Sequence, residues 1–157
     1  MGTTQTVMEN KLYFTNIQMR NSLIQIEDQM AHTPWLPTVI LGINRGGCIP
    51  GVYLSHRLNV PHEPLDIRLR DHKSIPDIYR LNTNFNKGER ILILDDINDT
   101  GSTFNYITEH FGKPDSVKYG AVINNKSSLA RIDYFGYEID KSKNDQWVVF
   151  PWEEWDK

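Results

Sequence analysis

The sequence predicts an α/β fold: a mostly parallel central sheet with helices on both faces. Short apolar runs at 38–43 and 90–95 have the character of buried strands. Stretches with helical periodicity alternate with such runs along the chain. Three strand-like runs end in the polar strings Asn44-Arg45-Gly46-Gly47, Asp95-Asp96 and Asn125-Lys126, and parallel sheets bind ligands beyond the carboxyl ends of their strands.

Residues 1–12 read as a loose or edge segment. Thr15 followed by Gln18 has the form of a capping box, and Met19, Leu23, Ile26 and Met30 recur at helical spacing, so a helix is expected over 16–31. Residues 32–37, rich in proline, break it. A strand over 38–43 leads through the Asn44–Gly47 turn into a helix over 49–58, which tolerates Pro50 in its first turn. A second strand lies within 60–69. Residues 70–87 are polar, carry Pro76 and show little periodicity, so they read as a mobile loop or a weak hairpin. A strand follows at 90–95, then a helix over 101–111 that ends at Gly112. Further strands are expected at 117–124, 134–139 and 147–150, the last two joined by a polar turn. No repeat, low-complexity tract or boundary divides the 157 residues, so one domain is expected over 1–157.

Composition is that of an ordinary globular chain. A formal net charge of −3 and the lack of a dense basic run argue against general nucleic-acid binding, which needs clustered Lys and Arg. The single cysteine, Cys48, allows no intrachain disulfide and fits a reducing cytoplasm. The N-terminus lacks a basic region followed by an apolar run, so no signal peptide is expected. No apolar stretch approaches the roughly 18–20 residues that span a bilayer, so no membrane partner is expected.

The segment 90–103 carries the most chemistry. An apolar strand ends in Asp95 and Asp96, a third acid follows at Asp99, and Thr100-Gly101-Ser102-Thr103 opens a helix. Adjacent ionised carboxylates repel, so a positive or hydrogen-bond-donating group is expected nearby. Carboxylates at a strand end hold sugar hydroxyls or a divalent metal. A Gly/Ser/Thr loop at a helix start presents N–H groups and hydroxyls that suit a phosphate. Taken alone, Asp99 or Thr100 reads equally well as a helix cap. In Arg45-Gly46-Gly47, glycine permits close backbone approach and arginine supplies a forked charge for a diphosphate; the plain alternative is a turn with a solvated charge. Cys48 is expected to be buried, with no base beside it. The histidines show no metal-ligand spacing, and neither a dinucleotide-binding fingerprint nor a P-loop is present.

Whole strings are more specific than their parts. Ile91-Leu92-Ile93-Leu94-Asp95-Asp96-Ile97-Asn98-Asp99-Thr100-Gly101-Ser102-Thr103 resembles the phosphoribosyl pyrophosphate signature of type I phosphoribosyltransferases: four apolar residues, two acids, two intervening residues, then an acid with Thr-Gly-x-Thr. The residue before the third acid is usually aliphatic in that family and is Asn98 here. Asn44-Arg45-Gly46-Gly47-Cys48-Ile49-Pro50-Gly51 matches the family's pyrophosphate loop in the right chain order. Lys126 after a strand, followed by Trp147-Val148-Val149-Phe150-Pro151-Trp152-Glu153, resembles the 6-oxopurine branch, the xanthine-guanine and hypoxanthine phosphoribosyltransferases.

That resemblance implies the type I phosphoribosyltransferase fold, with a mobile hood loop near 68–88. It implies transfer of 5-phosphoribosyl from phosphoribosyl pyrophosphate to a 6-oxopurine, with Mg2+ as cofactor. It implies Asp99 as catalytic acid/base, Asp95 and Asp96 on ribose hydroxyls and the metal, and Thr100, Gly101, Ser102 and Thr103 around the 5′-phosphate. Arg45 and Gly46 then hold pyrophosphate, Lys126 meets the purine 6-oxygen, Trp147 stacks on the base, and the Val148 carbonyl accepts from a 2-amino group. A homo-oligomer, dimer or tetramer, is part of the same implication. Two other classes remain: a non-catalytic regulator on the same fold that senses phosphoribosyl pyrophosphate, and a phosphoribosyltransferase for a different base. A metal-dependent phosphohydrolase built on the Asp cluster is disfavoured, because Asp96-Ile97-Asn98-Asp99-Thr100 has asparagine where its aspartyl-phosphate form needs a second acid.

Overall fold

Alternation within the buried strands builds two apolar faces on one sheet. The computed structural model describes residues 10–67 and 76–155. Strands β2 (Val39–Ile43), β3 (His62–Leu65), β4 (Ile91–Asn98), β5 (Val117–Asn125) and β6 (Tyr134–Ile139) form a five-stranded sheet in the order β3-β2-β4-β5-β6. Every pairing in it is parallel. Ile40, Leu92 and Leu94 meet α1 (Asn16–His32) and α2 (Cys48–Leu58) on one face, through Met19, Leu23, Ile26, Met30 and Leu54. Val39, Leu41, Ile91 and Ile93 meet α3 (Pro76–Asn86) and α4 (Ser102–Phe111) on the other, through Leu81, Phe104 and Ile107. Each of these buried apolar side chains contributes about 1.5–3 kcal/mol relative to exposure. Helices therefore cover both faces, as the alternation requires.

The expected capping box is present at α1. Thr15 Oγ1 accepts from the Gln18 N–H at 3.1 Å, and Gln18 Oε1 accepts from the Thr15 N–H at 2.9 Å. Among the described residues no helix is long and apolar enough to cross a membrane.

Three expectations are corrected. Within 70–87, residues 76–86 form helix α3 rather than a loop or hairpin; 70–75 lie outside the described residues. Its buried stripe is short and partly polar, which hides the period: Leu81 and Asn84 face inward, Arg80 Nη1 donates to Glu63 Oε1 at 3.0 Å, and Phe85 meets Phe111 edge-on. Strand β4 runs on to Asn98, because pairing with β5 continues through Ile97↔Ile123 and Asn98↔Asn124. Asp95 and Asp96 therefore lie within the strand, not past its end. The last strand, β7 (Trp147–Val149), does not extend the main sheet. It pairs in parallel with β1 (Lys11–Tyr13), at the end of the segment expected to be loose or an edge; residues 1–9 lie outside the described residues.

Gly136 on β6 lies against Ser22 of α1, and a Cβ there would run into the Ser22 side chain and backbone. Gly136→Ala is therefore expected to lower the unfolding free energy by about 1–3 kcal/mol in urea titrations, as overpacking does. An unchanged midpoint and slope would show that α1 does not press on β6 in this way.

Candidate functional site

Asp95 and Asp96 are held in place by the backbone beside them. Asp95 Oδ1 accepts from the Asp96 N–H at 2.8 Å, and Asp96 Oδ1 accepts from the Ile97 N–H at 2.7 Å. The expected donors are thus backbone amides; among the described residues no lysine or arginine is ion-paired with either acid. Burial, then the Asp96 charge, pushes the Asp95 carboxyl well above its ordinary value. Burial raises Asp96 too, and Glu153 adds repulsion, while hydrogen bonds from Asp95 and the Ile97 N–H act in the other direction.

The Asn44–Gly47 turn lies directly against these acids. A Cβ on Gly46 would collide with the Asp96 carboxylate, and one on Gly47 with the Leu94 carbonyl, so glycine is what allows the approach. The Asn44–Arg45 peptide is cis. Arg45 is exposed and shares an open cleft of about 530 Å³ with Gly46, Asp96, Trp152 and Glu153. Cys48 donates from Sγ to the Gly42 carbonyl at 3.4 Å; burial, then Asp66 and Asp95, push its thiol up, which leaves a poor nucleophile.

Asp96 also lines a smaller neighbouring cavity of about 120 Å³ with Asp99, Lys141, Trp147, Val148 and Glu153. Asp95 lines neither space. Lys141 Nζ lies 3.1 Å from both carboxylate oxygens of Asp99. The buried Asn125 mounts the pair: its Nδ2 donates to the Asp99 carbonyl at 2.9 Å, and its Oδ1 accepts from the Lys141 N–H at 2.9 Å. Trp147 is 63% exposed on β7. The Trp147 N–H donates to the Asn10 carbonyl and the Val149 carbonyl accepts from Phe14. Strand alternation then turns the Val148 carbonyl away from β1, and Val148 lines the cavity.

On the other side of Asp99, residues 97–104 enclose a pocket of about 70 Å³. Gly101 has φ +94°, and a Cβ there would also strike the Ala130 N–H and the Ser128 hydroxyl. The Ser102 N–H donates to Thr100 Oγ1 at 3.2 Å, and the two hydroxyls of Thr100 and Ser102 lie 2.9 Å apart. Thr103 lies in the first turn of α4. Asn98 is buried and satisfied, with Nδ2 donating to Asn124 Oδ1 at 2.9 Å and the Ala130 carbonyl at 3.0 Å, and Oδ1 accepting from Ser128. It stitches the ends of β4 and β5 to the 128–130 segment behind the loop.

Most sequence-predicted site residues therefore gather around one crevice. Asp95, which lines neither the cavity nor the cleft, and Lys126 are the exceptions: Lys126 is exposed, does not line the 120 Å³ cavity, and its backbone N–H donates to the Ile139 carbonyl. Lys141 is a functional candidate that sequence reasoning missed, and Asn125 was marked only as part of the Asn125-Lys126 string, with no role. Lys141 sits in a run of charged and polar residues that reads as a solvated turn. Asn125 carried a faint signal, a polar residue closing an apolar strand.

The donor set fits a magnesium ion. Asp95 and Asp96 offer hard oxygens whose mutual repulsion a cation relieves. Among the described residues no three His, Cys, Asp or Glu converge as a closed metal cage. Two carboxylates with substrate oxygens completing the shell is the usual arrangement for magnesium.

A family model described as "Phosphoribosyl transferase domain" matches residues 16–156. The xanthine-guanine phosphoribosyltransferase of Vibrio vulnificus (strain YJ016) is 30% identical over 148 residues, covering 93% of this chain and 91% of that protein. The crystal structure of a purine phosphoribosyltransferase from Pyrococcus horikoshii superposes with a TM-score of 0.68 at 26% identity, covering 94% of this chain and 97% of that one. The Helicobacter pylori xanthine-guanine-hypoxanthine phosphoribosyltransferase has the same fold, with a TM-score of 0.70 at 16% identity over 93% and 94% of the two chains.

The raised Asp95 has a consequence for stability. A carboxyl whose folded value lies above its unfolded value binds more protons in the folded state, so stability is lost as pH rises from the unfolded value through the folded one. Asp95→Asn keeps the acceptor for the Asp96 N–H and removes the charge. The ligand-free variant is expected to melt above wild type at pH 8, by on the order of 2–4 °C per kcal/mol relieved. The difference should vanish below the ordinary carboxylate range. Equal melting at both pH values would mean that the acid is not held against its charge.

Proposed function

The chain belongs to the phosphoribosyl transferase family, and on that footing we propose that it transfers the 5-phosphoribosyl group of phosphoribosyl pyrophosphate to a 6-oxopurine. The products are a purine nucleoside 5′-monophosphate and pyrophosphate. What supports the reading is one arrangement: Asp96, Asp99 and Trp147 border a cavity that shares Asp96 and Glu153 with the Arg45–Gly46 cleft and shares Ile97 and Asp99 with the 97–104 pocket. Relatives bearing the names xanthine-guanine and purine phosphoribosyltransferase support the substrate class. The single cysteine, unpaired by any disulfide, suits a cytoplasmic setting.

In this reading the base stacks on Trp147, with the Val148 carbonyl accepting from a 2-amino group where one is present. Asp95 and Asp96 hold the ribose hydroxyls. The N–H groups and hydroxyls of Thr100, Gly101, Ser102 and Thr103 take the 5′-phosphate, and Arg45 with the Gly46 backbone takes the diphosphate. Asp96 and Asp95 would hold a magnesium ion, which would supply positive charge to offset that on the leaving diphosphate. The N9–C1′ bond forms as the C1′–O bond to pyrophosphate breaks, and the Asp99 carboxylate accepts the proton that the base loses from N7. A lysine ammonium has three donors and no acceptor, so it meets a 6-oxygen and opposes adenine's amino group. The resemblance gives that role to Lys126.

A spectrophotometric screen of guanine, xanthine, hypoxanthine and adenine with phosphoribosyl pyrophosphate, with and without magnesium, tests this directly. Magnesium-dependent turnover of at least one 6-oxopurine is expected, with adenine disfavoured by up to about 10⁴. Binding of phosphoribosyl pyrophosphate without turnover of any base would instead make the protein a sensor.

Asp99→Asn is expected to cut kcat by on the order of 10²–10⁴, the range for a lost acid/base group, with little change in affinity for phosphoribosyl pyrophosphate. Near wild-type turnover would remove Asp99 from the mechanism. Trp147→Ala should raise KM for all accepted purines alike; a change in their ranking would contradict a pure stacking role.

A further inference from the structure

Strand β3 grips both ends of the Asn44–Gly47 turn. At the near end the Asn44 N–H donates to the Leu65 carbonyl at 2.9 Å, and Asn44 Nδ2 donates to Asp66 Oδ1 at 2.6 Å. At the far end, where the turn enters α2, the grip is a ring. His62 stands opposite Ile40 in the β2–β3 register, on the sheet face that α2 covers. A Cβ on Gly42 would lie 2.5 Å from His62 Nε2, 2.7 Å from the Gly47 carbonyl oxygen and 2.8 Å from Cys48 Cα. One on Gly51, in the first turns of α2, would lie 2.7 Å from His62 Cδ2 and 2.8 Å from Nε2. Two glycines thus leave a slot between β2 and α2, and the imidazole of His62 fills it. We propose that His62 is a positioning residue for the diphosphate turn: its ring sets the spacing between β2 and the start of α2, and so where Arg45 and Gly46 stand against Asp96.

The inference rests on the reading of that turn as the diphosphate site. Gly47 carries the coupling. Its N–H donates to the Ile43 carbonyl at 2.8 Å, its own carbonyl lies over Gly42, and a Cβ on it would strike the Leu94 carbonyl of β4. Gly46, one residue earlier, comes so close to Asp96 that a Cβ would meet the carboxylate. A shift of α2 away from β2 therefore moves Gly47 and Gly46 relative to the β4 acids, because close-packed interiors pass such shifts on. The ring acts by its shape. Nε2 is buried with no hydrogen-bond partner, and burial lowers the imidazole pKa while Glu63 opposes it, so the ring packs neutral. Glu63 is itself paired with Arg80 at 3.0 Å. A buried nitrogen without a partner is costly, which marks a residue kept for the space it fills.

The test compares wild type with His62→Ala, Gly51→Ala and the double variant, each checked by thermal melting. It reads KM for phosphoribosyl pyrophosphate, KM for guanine or hypoxanthine, kcat, and the calorimetric Kd for pyrophosphate with magnesium. His62→Ala empties the slot, and Gly51→Ala drives a methyl against the ring. Each is expected to raise KM for phosphoribosyl pyrophosphate and Kd for pyrophosphate by on the order of 10-fold to 10²-fold, the scale of a misplacement of about 1 Å. The base KM, and kcat at saturation, should stay near wild type. In the double variant the new methyl takes space that the ring vacates, so most of the loss should be recovered, as expected of two sites sharing one slot. A folded His62→Ala with wild-type values overturns the proposal. So does a rise in the base KM as large as that for phosphoribosyl pyrophosphate, which marks general loosening, and so does a double variant no better than the worse single one. If His62→Ala does not fold, Gly51→Ala decides, and an unaltered pyrophosphate affinity overturns the proposal. A wild-type protein that neither binds pyrophosphate nor turns over a purine overturns the reading of the turn itself, and this inference with it.

Discussion

The site depends on two neighbouring carboxylates held in strand β4, with no lysine or arginine ion-paired with them among the described residues. Asp95 and Asp96 face repulsion and lost hydration together, and backbone N–H groups return only part of that cost. The rest of the sheet makes the position tenable. Leu92, Leu94, Ile91 and Ile93 anchor β4 from both faces, so the strand cannot shift to release its acids into water. Gly46 and Gly47 bring the neighbouring turn into contact with the same strand, where any side chain would collide. A cation is the kind of ligand that relieves this repulsion.

Two buried asparagines organise the remainder. Asn98 replaces the aliphatic residue common at its position and makes three hydrogen bonds across β4, β5 and the 128–130 segment. It braces the loop that carries Gly101. Asn125 ties the Asp99 backbone to that of Lys141, so the acid and its cation belong to one unit though 42 residues separate them. The exposed indole beside the cavity comes from a different structure altogether. Trp147 rides on β7, and β7 is held by β1 at the far end of the sequence.

Elements with a strong period were legible in the sequence: α1 with its Thr15–Gln18 box, β2, α2 and the apolar half of β4 all fall within a residue or two of expectation. So were the glycines of the Asn44–Gly47 turn and the Asp96–Asp99 spacing, because close approach and paired acids leave marks in residue type. Helix α3 was not, since its inward stripe mixes Leu81 with Asn84 and Arg80 and finds its partners on β3 and α4. Nor was the β1–β7 pair, a contact between chain ends that no local pattern encodes. Lys141 was hidden for the same reason: its role comes from Asp99 and Asn125, not from its own neighbours in sequence.

The central claim is that the β4 acids are poised for a cation-bound sugar diphosphate. Calorimetric titration of phosphoribosyl pyrophosphate, with and without magnesium, in two buffers of different ionisation enthalpy measures it, with the Asp95→Asn variant alongside. Binding should need magnesium and release protons beyond those released by Asp95→Asn, because a carboxyl raised in the free protein must ionise as the cation arrives. Binding that is equally tight without magnesium, with the same proton release in wild type and variant, would contradict the account.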